Sequence, residues 1–552
     1  MMTAHPTRFR WVLPALATAL LVAQVLALGT RHFPEQVNSD DLYPYVFSQD
    51  LLHHASSVPG WTLSSAPYYF PDFTLLTLVI AATGWAGASI PTYAVFSALL
   101  LALAAGWLLK AIEPARDGAW LRGLLAVNAI VALGFLPFLD RWIWWQLAPG
   151  FHGGAVIVTV AAAALAAMEI NRGPSGVRWV ALTFLLGLGM ASDSFVILEA
   201  VVPLTAALIW STKDRADFVT PVRRFLGAVA VSFALLLLTK LYLAWRQIFF
   251  TARVFRYSPT PLRILTTMGA WWHDLWGERL LMTIWIVAGL FLVGLWWWGV
   301  ERQSLRQKNV AKEKLERIRF LGTWTLSSAV LVVGALWFMG YWHDISNARY
   351  LVPLQTFPWI AAAAWVRMPK RRLGPKAQAG ALAVLGAVLV SFAIWAGSSV
   401  RRERLVFPYP ADVATLDDFC RDRHLTRGLS DYWTLHYFNT LGREGARLSA
   451  LRATANSTYP ASVASFWNNN VYGFLDHDDV AQKWSRPNYT FIVVNRLDEP
   501  SLRARYGNPR EVVQAGPWKI WILADPAAAT SRVLEDVRQR LRGRRWDAVG
   551  LN

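Results

Sequence analysis

The feature that most limits what this chain can fold into is a succession of apolar runs with basic residues at their ends. Runs at about 11–29, 91–109, 123–139, 153–170, 179–191, 195–211, 225–244, 280–300, 320–340, 350–366 and 379–397 approach the roughly 20 residues that a helix needs to cross a bilayer. A helix satisfies its own backbone hydrogen bonds, which lipid cannot do. These runs predict a polytopic α-helical membrane domain of about 11 transmembrane helices over residues 1–397. The composition points the same way: 55% of residues are hydrophobic, 16% are charged and 30 are Trp. A soluble domain carries about 25% charge.

Charge placement sets the expected orientation. Phe73–Ala88 is also apolar, but it follows Pro67 and Pro71 and is rich in Gly, Ala and Thr, so it is read as an interfacial helix. With that choice 23 Lys and Arg fall in loops on the N-terminal side and 8 in the short loops opposite. Counting 73–88 as a span would invert every later loop. The positive-inside rule therefore predicts an inner-membrane protein with its N-terminus cytoplasmic and its C-terminus outside. Arg8 and Arg10 before Trp11–Gly29 look like a signal sequence, but the run is long enough to span and is read as an uncleaved first helix. The basic run Glu301–Arg319 reads as a solvated helix touching anionic headgroups.

The net charge of +18 does not indicate nucleic acid, because the basic residues sit at the ends of apolar segments rather than on one soluble face. Cys420 is the only cysteine, which excludes an intrachain disulfide. Beyond residue 398 the pattern changes. Ala411–Arg423 reads as an amphipathic helix, Tyr489–Asn495 and Trp518–Leu523 as strands, and the stretch near Ser501–Tyr506 as a helix between them. Residues 398–552 are expected to form a C-terminal α/β globular domain outside the membrane.

Two motifs stand out in the outward loops. The first loop, Thr30–Asp72, holds Asn38-Ser39-Asp40-Asp41-Leu42-Tyr43. Adjacent carboxylates repel and need a reason to persist, such as a cation or a proton-transfer task. Ser-Asp-Asp before an apolar stretch is equally a helix-start signal. The second motif runs from His343-Asp344 to Arg349-Tyr350-Leu351-Val352-Pro353, where Pro353 can start a helix. Arg349 can snorkel to headgroups or bind a phosphate bidentately, and Tyr350 suits an aromatic belt.

With Pro67-Tyr68-Tyr69-Phe70-Pro71 leading into the interfacial helix, these motifs resemble those of the GT-C superfamily of membrane glycosyltransferases, which includes protein O-mannosyltransferases and aminoarabinose transferases. The resemblance covers the layout of residues 1–400 and is specific at two short motifs. It implies transfer of a sugar from a polyprenyl-phosphate carrier to a glycan, lipid or protein acceptor at the outer membrane face. It also implies that Asp41 or Asp40 is the general base, with Asp41 preferred, and that Arg349 holds the lipid phosphate. No Trp-Trp-Asp-Tyr-Gly motif occurs, so transfer of a whole oligosaccharide to Asn is not expected.

Further candidates are weighed against plainer roles. His152, in Phe151-His152-Gly153-Gly154, could contact a ligand that the glycines let approach, or could cap a helix. Asp193 breaks two short apolar segments and is either functional or a cap for the next helix. The loop Arg246–Arg279 holds five Arg; Arg253 and Arg256 could bind the anionic donor. His273, Asp274 and Glu278 lie near Trp271, Trp272 and Trp276, which read as interfacial anchors. His343 joins the substrate-binding candidates. No metal-ligand spacing is visible, and no cofactor is expected; the Asp pair could hold Mg²⁺ or Mn²⁺. Two other functions compete: a transporter or flippase of a lipid-linked glycan, for which Glu199 and Lys240 are the main intramembrane charges, and a non-catalytic envelope assembly protein.

Overall fold

The computed structural model describes residues 9–32, 37, 39–53, 58–63, 66–84, 86–114, 118–136, 139–246, 248–250, 260–276, 280–306, 312–338, 349–365, 375–401, 404–405, 409–452, 462–463, 469–470, 476–478 and 483–540. The chain is mostly helical. Among the described residues six helices contain segments long and apolar enough to cross a membrane: Trp11–His32, Ser89–Ile112, Gly153–Arg172, Val219–Trp245, Leu280–Arg302 and Leu315–Phe338. Shorter apolar helices cover Tyr69–Thr83, Ala119–Phe135, Gly176–Ser192, Ile197–Thr212 and Ala383–Ser398.

In chain order the helical part comprises α1 (Phe9–His32), α2 (Ser39–His53), α3 (Thr74–Thr83), α4 (Ala86–Ile112), α5 (Ala119–Ala132), α6 (Asp140–Leu147), α7 (Gly153–Arg172), α8 (Gly176–Ser192), α9 (Val202–Thr212), α10 (Val219–Trp245), α11 (Pro261–Trp276), α12 (Leu280–Arg306), α13 (Lys312–Phe338), α14 (Val352–Trp365) and α15 (Pro375–Ser398). Helix α7 is the centre. It is Ala-rich, buried along most of its length, and packs against α4 and α8. Small side chains let helix backbones approach closely, which is how helices associate in lipid. The outer helices show the converse. On α12, Ile284, Val287, Phe291, Leu295 and Trp298 are exposed at helical spacing, as are Leu237, Leu238 and Leu241 on α10. An apolar exterior of this kind suits lipid, not water.

Helix α3 stops at Gly84, which is left-handed (φ 73°). Its 10 residues reach only about 15 Å, half of a hydrocarbon core. The ends of the basic run Glu301–Arg319 are not simply solvated. Arg319 is 7% exposed; it bonds Glu301 at 2.6 Å and Asp214 at 2.5 Å, while Arg215 bonds Glu316 at 2.9 Å. Taking an arginine this far out of water requires such partners.

The C-terminal part adds α16 (Ala411–Asp422), α17 (Tyr432–Leu441), α18 (Glu499–Tyr506) and α19 (Pro526–Arg540). With strands numbered along the whole chain, β1 is Trp61–Leu63, β2 Phe249–Phe250, β3 Arg427–Ser430, β4 Arg447–Arg452, β5 Ser462–Val463, β6 Asn469–Asn470, β7 Asp476–Asp478, β8 Lys483–Ser485, β9 Phe491–Val493, β10 Pro509–Ala515 and β11 Trp518–Leu523. The main sheet has the order β10-β11-β9-β3-β4-β5, parallel across β9-β3-β4 and antiparallel at its edges. Its centre is built from Leu429, Phe491, Ile492, Val493, Ile520 and Trp521, all fully buried. A second sheet, β2-β1-β6, joins three distant segments: the α2–α3 connection, the residues after α10 and the C-terminal part. These three therefore lie at the same end of the helical domain.

Candidate functional site

A cluster of polar side chains gathers residues from four connections: Tyr68 before α3, His152 before α7, Asp193 after α8, and Arg349-Tyr350 before α14. His152 and Asp193 are 4% and 2% exposed, and His152 Nδ1 lies 2.5 Å from Asp193 Oδ2. The other carboxylate oxygen, Oδ1, accepts from the Phe195 N–H at 3.0 Å. Asp193 thus caps the turn that follows and orients the imidazole at once. His152 Nε2 faces the Tyr68 hydroxyl at 3.5 Å. Around the ring stand Tyr68, Phe195 and Tyr350, with centroids 5.5, 4.8 and 5.1 Å away, and Phe195 and Tyr350 stack on each other at 5.2 Å.

The backbone explains why these residues meet. Both Tyr68 (φ 56°) and His152 (φ 65°) are left-handed, a conformation that costs a non-glycine residue about 1–2 kcal/mol and persists only where surrounding contacts enforce it. The Tyr68 N–H donates to the Ser192 carbonyl at 3.0 Å, and the Phe70 N–H to Ser192 Oγ at 2.9 Å, which ties this segment to the end of α8. His152 occupies the N-cap position of α7, but its side chain makes no capping bond and turns to Asp193 instead. The sequence leaves Gly153-Gly154 either admitting a ligand beside His152 or following a capping His152. At both glycines the structure shows close approach by the protein itself. A Cβ on Gly154 would lie 2.3 Å from Asp72 Oδ1, and one on Gly153 would lie 2.2 Å from the Gln146 carbonyl oxygen.

Asp72 was not singled out from sequence. It is 1% exposed; Oδ1 accepts from Tyr93 Oη at 2.7 Å and Oδ2 from the Gly150 N–H at 3.4 Å. It lies against the first turn of α7, where the helix dipole favours an anion. Burial outweighs these bonds and pushes its carboxyl up to about 7, with Asp193 adding to the rise and His152 opposing it. Tyr68 carries no sequence signal of its own beyond the Pro67–Pro71 motif. Burial raises its phenol, helped by Asp193, so that it remains an O–H donor at neutral pH; Arg349 pulls the other way.

Arg349 lies over the Tyr350 ring, 5.3 Å from its centroid, with Nη2 3.5 Å from the Tyr350 hydroxyl. Burial disfavours its charge, but Tyr350, Tyr68 and Asp40 overcome that and hold the guanidinium above its ordinary value. The structure therefore brings Arg349, Tyr350, Tyr68, His152 and Asp193 together by contact, and the charge of Asp40 reaches Arg349.

The Asp pair itself is divided. Asp40 and Asp41 stand in the first turn of α2, so the helix-start reading of Ser-Asp-Asp is met. Asp40 is half-buried, and its Oδ1 accepts from Tyr432 Oη of α17 at 2.7 Å. Asp41 is buried at 4% exposure, where its charge adds to the burial that raises the Tyr45 phenol. Tyr432, also not anticipated, belongs to the end of α17 that packs on α2, where His436 stacks on Trp61 at 6.3 Å. Among the described residues no three His, Cys, Asp or Glu side chains converge as a bound metal would require. His273 is exposed on α11, 3.6 Å from Asp274. His343, Arg253 and Arg256, with Asp344 and Glu278, lie outside the described residues.

No protein-family model matches the chain, and neither a curated protein nor a solved structure does.

Proposed function

We propose that this chain is an inverting glycosyltransferase of the GT-C type that moves a sugar from a polyprenyl-phosphate carrier to an acceptor hydroxyl. In this reading the helical domain crosses the inner membrane about eleven times, the N-terminus is cytoplasmic, and the C-terminal sheet domain and the site face outward. The observation that favours the reading is that the charge of a first-loop carboxylate reaches the late-motif arginine. Asp40 is among the charges that stabilise the half-buried Arg349 guanidinium, although the two lie in separate motifs.

The chemistry follows from that pairing. The acceptor oxygen attacks the anomeric carbon on the face opposite the carrier. The bond from that carbon to the phosphate oxygen breaks, and its electron pair stays on the phosphate. The acceptor proton passes to a carboxylate of the Asp40–Asp41 pair, a contribution worth about 10²–10⁴ in rate. Sequence reasoning preferred Asp41; the contacts of Asp40 with Tyr432 and the field of Arg349 favour Asp40. Arg349 meets the phosphate as it gains charge, a role typically worth about 10²–10³. Tyr432 makes the C-terminal domain the acceptor-side wall, since its hydroxyl occupies the position an acceptor hydroxyl would take on Asp40.

The test is sugar transfer in proteoliposomes from a radiolabelled glycan attached to polyprenyl phosphate, with Asp40→Asn, Asp41→Asn and Arg349→Ala compared with the native chain. Full activity in all three variants overturns the assignment of these residues, and no transfer by the native chain favours the assembly-protein reading. A transport reading draws on one observation, the fully buried Glu199 in a widened helical turn at Ile197–Val201. Carboxylates at such depth commonly serve ion or substrate paths.

A further inference from the structure

At the basic end of the helical domain most charges are paired within the protein. Arg215 bonds Glu316, and Arg319 bonds Glu301 and Asp214. Arg178 and Arg224 share Glu169. Lys213, which ends α9, and Arg302, near the end of α12, are exposed and form no ion pair among the described residues. Each lies instead over an indole. Lys213 Nζ is 3.4 Å from the Trp210 ring centroid, and the Arg302 guanidinium is 5.1 Å from that of Trp298. The ring face attracts the cation and holds it close to the helix surface. The two cations are neighbours. Trp210 meets Trp297 at 6.5 Å, its indole donates to Glu301, and the charge of Lys213 reaches that same carboxylate, one residue from Arg302. Gly322 of α13 makes room for Trp297, since a Cβ there would lie 2.8 Å from its ring.

The helix faces that lead to these cations are apolar and uncovered. On α12, Phe291, Leu295 and Trp298 are exposed, and with Arg302 they stand at i, i+4, i+7 and i+11, one face of a helix. On α9, exposed Val202, Ile209 and Lys213 stand at i, i+7 and i+11. From Phe291 to Arg302 the stripe rises about 16 Å, close to half the thickness of a hydrocarbon core. Its order is apolar chain, indole, cation, which matches the acyl, glycerol and phosphate levels of one leaflet. A small soluble anion would use the cations and leave the stripes uncovered. We propose that the ends of α9 and α12 form a binding site for an anionic phospholipid. Its acyl chains lie along the two stripes and its headgroup meets Lys213 and Arg302. Selectivity follows from the two cations without carboxylate partners, because a choline headgroup brings a positive charge of its own beside them. The site requires only that the helical domain lies in a membrane, so it stands whether or not the chain transfers sugar.

The experiment is native mass spectrometry of the full-length chain in detergent, with phosphatidylglycerol or phosphatidylcholine titrated in and bound lipid counted. The native chain is expected to bind phosphatidylglycerol more tightly. Lys213→Ala combined with Arg302→Ala should weaken that binding about thirtyfold, from about fivefold per cation near an anionic headgroup. Lys213→Arg combined with Arg302→Lys keeps both charges and should bind as the native chain does. Arg172 and Arg223 are exposed at the same end, and among the described residues neither lies over a ring. Arg172→Ala combined with Arg223→Ala is therefore the control and should leave binding unchanged. Melting in detergent checks that each variant folds. Equal affinity of the native chain for the two lipids overturns the site, as does undiminished binding by the double-alanine chain. A loss as large in the control chain overturns it too, because net charge alone would then account for the binding.

Discussion

Replacing Gly154 by Ala tests whether α7 is held in place by the Asp72 segment. Helix propensity alone favours the change by about 1 kcal/mol, since Gly is a poor helix residue. The structure reverses the sign. The added methyl would sit 2.3 Å from Asp72 Oδ1 and 2.7 Å from Pro71 Cδ. Neither neighbour is the free end of a flexible chain, because Asp72 is fixed by Tyr93 and Gly150. Overpacking of this kind costs about 1–3 kcal/mol, so a net loss of up to about 2 kcal/mol is expected. Gly227 lies within α10 and a methyl there meets nothing within 4 Å. Gly227→Ala is therefore the control, with a gain of about 0.5–1 kcal/mol. Thermal unfolding in one detergent, followed by near-ultraviolet circular dichroism, reads both. A Gly154→Ala chain more stable than the native one by the full propensity gain would show that Asp72 does not press on α7.

Asp72 also sets a pH dependence. The folded state binds its proton more tightly than the unfolded chain, so this group's contribution to stability is largest below the ordinary carboxyl value of 3.8 and falls until pH reaches about 7. The fall amounts to at most about 4 kcal/mol, and Asp72→Asn should flatten the melting-temperature profile across that window; a profile unchanged by the substitution refutes the assignment. Tyr432→Phe removes the 2.7 Å bond to Asp40 and should speed hydrogen exchange of residues 432–441 about tenfold, whereas unchanged protection would mean that α17 is held by its other contacts alone. Glu199→Gln should leave sugar transfer near the native rate, since it keeps the shape of a fully buried side chain; loss of glycan transport across vesicles without loss of transfer would favour the transporter instead.

What could be read from the sequence depended on how local the signal was. Each apolar run announced a helix because hydropathy is a property of consecutive residues, and Ala411–Asp422 and Trp518–Leu523 carried their own periodicity. Strand β3 did not, since Arg-Gly-Leu-Ser is four buried residues with no alternation, set between two neighbouring strands. Helix α17 had a start signal in Asp431, which accepts from the Trp433 N–H, but its ten residues are too few for a clear apolar face. The candidate site divides in the same way. Asp40, His152, Asp193 and Arg349 stand out as polar residues beside apolar runs. That His152 pairs with Asp193 is tertiary information, and so are the left-handed turn of Tyr68 and the burial of Asp72.

The most direct measurement is an electron cryomicroscopy map of the chain in nanodiscs with polyprenyl monophosphate bound. Phosphate density within hydrogen-bond reach of Arg349, on the side where Asp40 meets Tyr432, is the expected result. Phosphate density at the opposite membrane face, or none beside Arg349 at saturating lipid, would contradict the account.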